Sequence, residues 1–289
     1  MHPGYVKCYV KRGKTDKADA EAICEVVSRP SMRFVPVKSE DTRALLMKHK
    51  ARKLLVRQQT QIVNAMCTHL GEFGVVVPKG IHNVERLFMA CDRTDLSTPA
   101  RKALNLLADQ LVDTQKKIES LTADIRADAR ANDPAQRLQT IPGIGPITAS
   151  ALVSALPDIS DFKSGRDLSA WIGLTPRPYS TGGKERLGRI SKMGNRYLRR
   201  LLYLRAILGA IAQVSARSGG EPGEDWLWLG LRPFVRSHHP PDDVPHAADR
   251  SKLQRKTPKQ AAIALANRMA RTAYALMKHQ TEFRAATAA

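Results

Sequence analysis

Between Leu104 and Ile125 the residues Leu104, Leu107, Leu111, Thr114, Ile118, Leu121 and Ile125 recur in strict alternation of three- and four-residue steps. Such spacing draws one narrow stripe along a slightly supercoiled helix, and a stripe that narrow is buried best against a second long helix. Pro99 stands near its start, where a helix N-terminus tolerates a residue without an N–H. A partner precedes it. From Lys38 to about Leu70, the residues Ala44, Met47, Ala51, Leu54, Gln58, Ile62, Ala65 and His69 recur at threes and fours, predicting a helix of about eight turns. The Gly- and Pro-containing stretch from Gly71 to Pro99 would let the two helices pack as an antiparallel arm. Such an arm serves equally as bundle core or as a dimer contact.

The sequence LQTIPGIGPITASALVSAL at 138–156 places an apolar-Pro-Gly-Ile-Gly turn between two helical patterns, the form of a helix-hairpin-helix. Gly143 and Gly145 permit positive φ in a tight turn, and the helix that follows presents backbone N–H groups to a phosphate oxygen. A contact of this kind reads the backbone rather than the bases. A simple turn between core helices is the plainer account.

Charge supports a polyanionic partner. Lys and Arg number 47 against 27 Asp and Glu, a formal charge of +20 with pI near 10.2, so the chain repels itself unless nucleic acid neutralises it. The excess is local: from Asp161 to Arg205 there are eleven Lys or Arg against three acids. Solvated helix faces interleave both signs, and this one-sided run predicts phosphate contacts. Lys184, Arg186, Arg189, Lys192 and Arg196 are its candidate nucleic-acid-binding residues.

Other segments exclude functions more than they assign them. Cys8, Cys24, Cys67 and Cys91 are widely separated, without CxxC or zinc-ligand spacing, and read as reduced, mostly buried thiols. No apolar run is long enough to span a bilayer, which fits a cytoplasmic, nucleoid-associated protein. Residues 219–256 have no sustained period and read as a loop or disordered insertion. His238, His239 and His246 with Asp242 and Asp243 fall there as exposed loop rather than ligands. Lys259 to His279 predicts an Ala-rich helix whose Ile263, Met269 and Leu276 face the core.

Two groups could carry chemistry. Asp16 and Asp19 lie three apart, so on a helical turn both carboxylates face one divalent cation; acids favoured at a helix N-terminus are the alternative. In Tyr179-Ser180-Thr181-Gly182-Gly183-Lys184 a hydroxyl sits on a Gly-flanked loop followed by cations, a setting that stabilises charge on a phosphate under attack. No Ser or Thr follows Lys184, so the spacing is not that of an ATP-binding P-loop.

Together, YVKCYVKRGKTDKADAEAICEVVSRPSMRFVPVKS, the Ile141–Thr148 turn and WIGLTPRPYSTGGKERLGRISKMGNRYLRRLL resemble the insertion-sequence 110/1111 family transposases. The resemblance implies a mainly α chain: the remnant of a RuvC-like α/β domain at 1–38, a helical coiled-coil arm at 39–130, and a helical transposase domain with helix-hairpin-helix and serine loop at 131–218. The insertion at 219–256 and a C-terminal helix at 257–289 complete it. It implies that Asp16 and Asp19 are the last two acids of a D-E-D-D set binding Mg²⁺, and that Ser180, or failing it Thr181, attacks DNA. It implies DNA and a structured guide RNA as partners, a homo-oligomer, and no membrane. Because Met1 stands just before this segment, the resemblance also implies an N-terminally truncated member, without the first Asp and the Glu and so impaired in cleavage. A non-catalytic nucleic-acid-binding protein is the alternative. A metal-only junction nuclease fits less well, its acid set being incomplete.

Overall fold

The computed structural model describes residues 6–10, 15–30, 37–92, 96–156, 158–179, 187–218 and 258–283, with side chains left aside at 208–218 and 258. The described residues are mainly helical, and the chain divides into two compact units, residues 1–42 and 43–289.

The first unit contains a single 3₁₀ turn, Lys7–Tyr9, and helix α1, Asp16–Val27. Thr15 caps α1 by accepting from the Ala18 N–H, and Ala22 and Val26 are its buried residues. Beyond the helix, Arg29 pairs with Glu25 at 2.7 Å and lies 4.7 Å from the centre of the Tyr9 ring.

Helix α2, Glu40–Glu72, runs into the second unit, where α3, Val84–Cys91, and α4, Thr98–Ala131, follow. Leu104, Leu111, Thr114, Ile118 and Ile125 are buried as their spacing predicts, with Leu107 and Leu121 half-buried. Helix α2 also forms, but on a different face. Of the expected stripe, Ile62 is buried and Ala51 and Ala65 half-buried, but Ala44, Met47, Leu54, Gln58 and His69 are exposed. The other inward positions are Leu45, His49, Arg52, Val56, Gln59, Val63, Met66 and Leu70.

The reason is polar. Gln59 donates to Gln115, Arg52 Nε to Thr122 Oγ1 at 2.7 Å, and Lys48 Nζ to Asp128 at 2.6 Å. Each step up α2 is matched by a step down α4, so the helices run antiparallel with side-chain bonds as rungs. Once bonded, a polar side chain can occupy an inward position that hydrophobicity alone would refuse it.

Toward Leu70 the seam turns apolar and merges with a cluster containing Met66, Leu87, Cys91, Leu96 and Leu104. The stretch between the long helices therefore holds a helix and core residues of its own. Cys91 is buried and Cys67 partly so, and burial pushes both thiols up; Cys8 and Cys24, by contrast with expectation, are exposed.

At Asn132 the chain turns, its side chain capping α5, Asp133–Gln139, through the Ala135 N–H at 3.0 Å. Helices α6, Pro146–Ala155, and α7, Gly165–Ile172, follow. A two-stranded hairpin of β1, Pro176–Pro178, and β2, Leu187–Ile190, leads to α8, Arg196–Ser218. Helix α9, Pro258–His279, closes this bundle by packing on α8 and α7. Its Ala262, Ala266, Ala270 and Ala273 are buried with Met269 and Leu276, while Ile263 is only half-buried. The expected insertion, with His238, His239, His246, Asp242 and Asp243, lies outside the described residues. Among the described residues no helix is long and apolar enough to cross a membrane.

The helix pair is joined to this bundle by His49, which is 2% exposed. Its Nδ1 lies 3.1 Å from Tyr197 Oη on α8 and its Nε2 3.0 Å from Ser150 Oγ on α6. Burial, and then the nearby Arg52 charge, push the imidazole down to about 4, with Asp128 opposing them. The folded state therefore holds His49 neutral where the unfolded chain has taken up a proton. Stability from this group is complete above about pH 6.5 and lost as pH falls toward 4, a change of about 3 kcal/mol. Urea denaturation between pH 7 and pH 4 should show this loss, and His49→Gln should remove that part of the pH dependence; an unaltered profile would show that His49 is not its source.

Candidate nucleic-acid interface

The turn before α6 takes the two glycines into different roles. Gly143 has φ +86°, where a side chain would be strained, whereas Gly145 is extended at φ −92° and serves as the N-cap. The expectation of positive φ at both is corrected on this point. Gly145 lies against the tip of Arg205, whose guanidinium a Cβ there would meet at 2.8 Å, so a side chain at 145 would displace it. Arg205 reaches across from α8 and donates through Nε to the Gly143 carbonyl at 3.0 Å, and burial lowers its pKa. A guanidinium thus stands beside the N-terminal end of α6, whose dipole favours an anion. Of the N–H groups expected to meet a phosphate, Pro146 has none and those of Thr148 and Ala149 are taken by the Gly145 carbonyl.

Strands β1 and β2 pair antiparallel, Pro176 opposite Ile190 and Pro178 opposite Leu187. Ser180, Thr181, Lys184 and Arg186 fall between them in the chain and lie outside the described residues. The base of the hairpin is held firmly. Gly188 lies under the Tyr179 ring, which a Cβ would meet at 2.2 Å. Arg177 donates to the Ser191 carbonyl at 3.0 Å, and Ser191 N–H to Thr175 at 2.8 Å.

The following turn, Lys192-Met193-Gly194-Asn195, is seated on the end of α7. Gly173 and Gly194 both have positive φ, and each touches the backbone of the other segment: Cβ atoms would meet Met193 O at 2.2 Å and Trp171 O at 1.7 Å. Arg199 ties the same two segments, donating to Ile172 O and Met193 O, each at 2.7 Å. Asn195 Oδ1 accepts from the Tyr197 and Leu198 N–H groups and so starts α8.

These bonds sort the cations of the basic run. Arg177, Arg199 and Arg205 spend donors on backbone carbonyls and are part of the scaffold. Arg189 on β2, Lys192 in the turn and Arg196 and Arg200 on the first turns of α8 are exposed. A count of charge along the chain could not make this division. The Gly-Asn pair before α8 was a readable capping signal, but the carbonyl partners of Arg199 and Arg205 depend on tertiary folding.

Asp16 and Asp19 stand in the first turn of α1, both exposed. Their spacing puts two carboxylates on one side of the helix, which suits a cation that keeps much of its water. Among the described residues no group of three or more His, Cys, Asp and Glu gathers around a possible metal.

Residues 135–219 match the model of the "Transposase IS116/IS110/IS902 family". Residues 3–74 match a second transposase model, named for the DEDD acid set of the IS110 group. The transposase for insertion sequence element IS1328 of Yersinia enterocolitica is 42% identical over 70% of this chain and 60% of its own length. A Pseudomonas aeruginosa protein named "Probable family 20 transposase" is 38% identical over 98% of this chain and 77% of its own. The transposase for IS1111A of Coxiella burnetii is 34% identical over 98% and 72% respectively. The helical bundle and its basic hairpin region are therefore those of a transposase. The chain belongs to the IS116/IS110/IS902 family.

Gly194 provides a direct check on this architecture. Gly194→Ala should destabilise the protein by about 2–4 kcal/mol, since a methyl group meets the Trp171 carbonyl in a left-handed backbone. Thermal unfolding would read the change, and a wild-type midpoint would mean that the turn is not seated on α7 as described.

Proposed function

We propose that this transposase grips element DNA through the turn at Gly143 and Gly145 and the cations Lys184, Arg186, Arg189, Lys192 and Arg196, and exchanges strands through Ser180. The observation that carries this reading is the grouping of Arg189, Lys192 and Arg196, all exposed, around a hairpin whose two ends are fixed by Arg177, Gly188 and Arg199. Residues 39–130 act as the helical arm, 131–218 as the transposase domain with a helix-hairpin-helix, and 1–38 as part of a RuvC-like domain. Residues 219–256 are an insertion and 257–289 the closing helix.

Ser180 Oγ attacks a backbone phosphorus, forming a phosphoserine bond while the P–O bond to the leaving sugar oxygen breaks and that oxygen takes a proton. A hydroxyl of the incoming strand then reverses the step. Cations around the hairpin stabilise the extra negative charge of the five-coordinate phosphate. Asp16 and Asp19 would hold Mg²⁺ through their carboxylates; when bound, such an ion would supply positive charge to a backbone phosphate. A structured guide RNA and a homo-oligomer complete the reading, both supported by family resemblance. The strongly positive chain accords with nucleic acid as its partner.

Incubation with element-end DNA should yield a covalent protein–DNA adduct that survives denaturing gel electrophoresis and disappears in Ser180→Ala, while Thr181→Ala retains it. An adduct that persists in Ser180→Ala removes the nucleophile assignment. Binding with no adduct in any variant points instead to a protein that occupies DNA without cutting it.

A further inference from the structure

Helix α2 carries a second concentration of positive charge, separate from the hairpin in sequence. From Thr42 to Gly71 it contains no Asp or Glu and six Lys or Arg: Arg43, Lys48, Lys50, Arg52, Lys53 and Arg57. Its antiparallel partner α4 is different in kind, mixing Asp109, Asp113, Glu119, Asp124 and Asp128 with its Lys and Arg. An ordinary solvated helix face looks like α4.

The structure divides the α2 cations by direction. Lys48 and Arg52 turn to α4, bonded to Asp128 and Thr122. Arg43, Lys50, Lys53 and Arg57 are exposed, and their steps of seven, three and four residues place them along one face. Among the described residues none of these four has an acidic partner. From Arg43 to Arg57 the row spans about 21 Å, the length of about six base-pair steps.

The row meets α8 at Tyr197. Lys53 Nζ lies 5.9 Å from the centre of the Tyr197 ring, and Arg52 and Arg200 both act on the Tyr197 hydroxyl electrostatically. Arg196 and Arg200, one turn apart on α8, are exposed. Cations from two elements distant in sequence thus border one another, and His49 fixes the elements that carry them through Tyr197. Like charges brought together without acids between them repel, a cost that a bound polyanion removes.

We propose that this face of α2, Arg43, Lys50, Lys53 and Arg57, is a second phosphate-binding surface that extends the α8 face and holds the backbone of duplex DNA beyond the hairpin. The inference rests on the reading of this chain as a DNA-binding transposase and adds to it a contact on the helical arm. A duplex is the occupant because the row is straight and rigid and continues the surface assigned to DNA. Tyr197, the ring that borders the row, is half-buried with its hydroxyl held by His49. Helix α2 itself has no Phe, Trp or Tyr between Arg43 and Arg57, so the row offers no succession of rings on which the bases of a single strand could stack.

The test measures affinity for a fluorescein-labelled element-end duplex by anisotropy across a salt series. Lys50→Gln, Lys53→Gln and Arg57→Gln combined should lower the slope of log K against log salt by about 2–3 and weaken binding about ten- to a hundredfold at about 0.1 M salt. The same number of charges removed from α4, Lys102→Gln, Lys116→Gln and Lys117→Gln, should change little, and Lys50→Arg with Lys53→Arg should keep wild-type affinity. Circular dichroism accompanies each; if the triple variant loses helicity, Lys50→Gln alone should lower the slope by about 1. If the α2 variants keep the wild-type slope while Arg189→Gln, Lys192→Gln and Arg196→Gln combined lower it, this inference fails and the proposed function stands. If neither set lowers it, both fail. A loss confined to single-stranded RNA of the same sequence would overturn the assignment to duplex DNA.

Discussion

A neutral imidazole holds the helix pair to the bundle. His49 is the point where α2 meets α6 and α8 at once, through Ser150 and Tyr197. With His49 removed, the buried Ser150 hydroxyl would lose this partner, at a cost of about 1–3 kcal/mol, and Tyr197 would lose its bond to α2's imidazole. A charged imidazole would fare no better, since burial and the Arg52 guanidinium both oppose it. The joint also fixes register. Sliding α2 by one residue would separate His49 from Tyr197, Lys48 from Asp128 and Arg52 from Thr122 in a single movement. Polar residues within a helical seam specify alignment in this manner at the expense of some apolar burial.

That same device explains what the sequence could and could not disclose. The α4 seam was legible because its fully buried residues, apart from Thr114, are apolar. The α2 helix was legible as a helix, but its buried face was not, because His49, Arg52 and Gln59 occupy inward positions that a hydrophobic pattern skips. A competing apolar stripe through Met47 and Leu54 looked better and is exposed. The C-terminal helix was legible from alanine content, and its buried alanines let α8 and α7 approach closely. At the candidate site, the Gly143 turn and the basic run were visible. Which cations remain available was not, since Arg199 and Arg205 are committed by carbonyls 27 and 62 residues away.

The committed arginines are as informative as the exposed ones. Arg199 draws the carbonyls of Ile172 and Met193 to one guanidinium, joining the end of α7 to the turn before α8. Arg205 does the same for the turn before α6. Guanidinium suits this task because its planar set of donors can satisfy several acceptors and it keeps its charge even when desolvated. Each of these side chains also adds positive potential close to the surface that the free cations form. The run of charge is therefore a layered arrangement: an inner set that shapes the backbone and an outer set directed to solvent.

Rigidity at the hairpin base bears directly on chemistry. A hydroxyl attacks phosphorus efficiently only when held near the line of displacement, and misplacement by about 1 Å can cost about a hundredfold in rate. Under the proposed function that hydroxyl belongs to Ser180, whose described chain neighbours on either side are Tyr179 and the strand from Leu187. The described residues on either side are held by Tyr179 over Gly188, Arg177 on Ser191, and the interlocked glycines Gly173 and Gly194. A side chain at 173 or 194 would meet the backbone of the facing segment, so glycine at both positions keeps the turn before α8 seated on α7 and, under the proposed function, keeps β2 and the cations beside it in place.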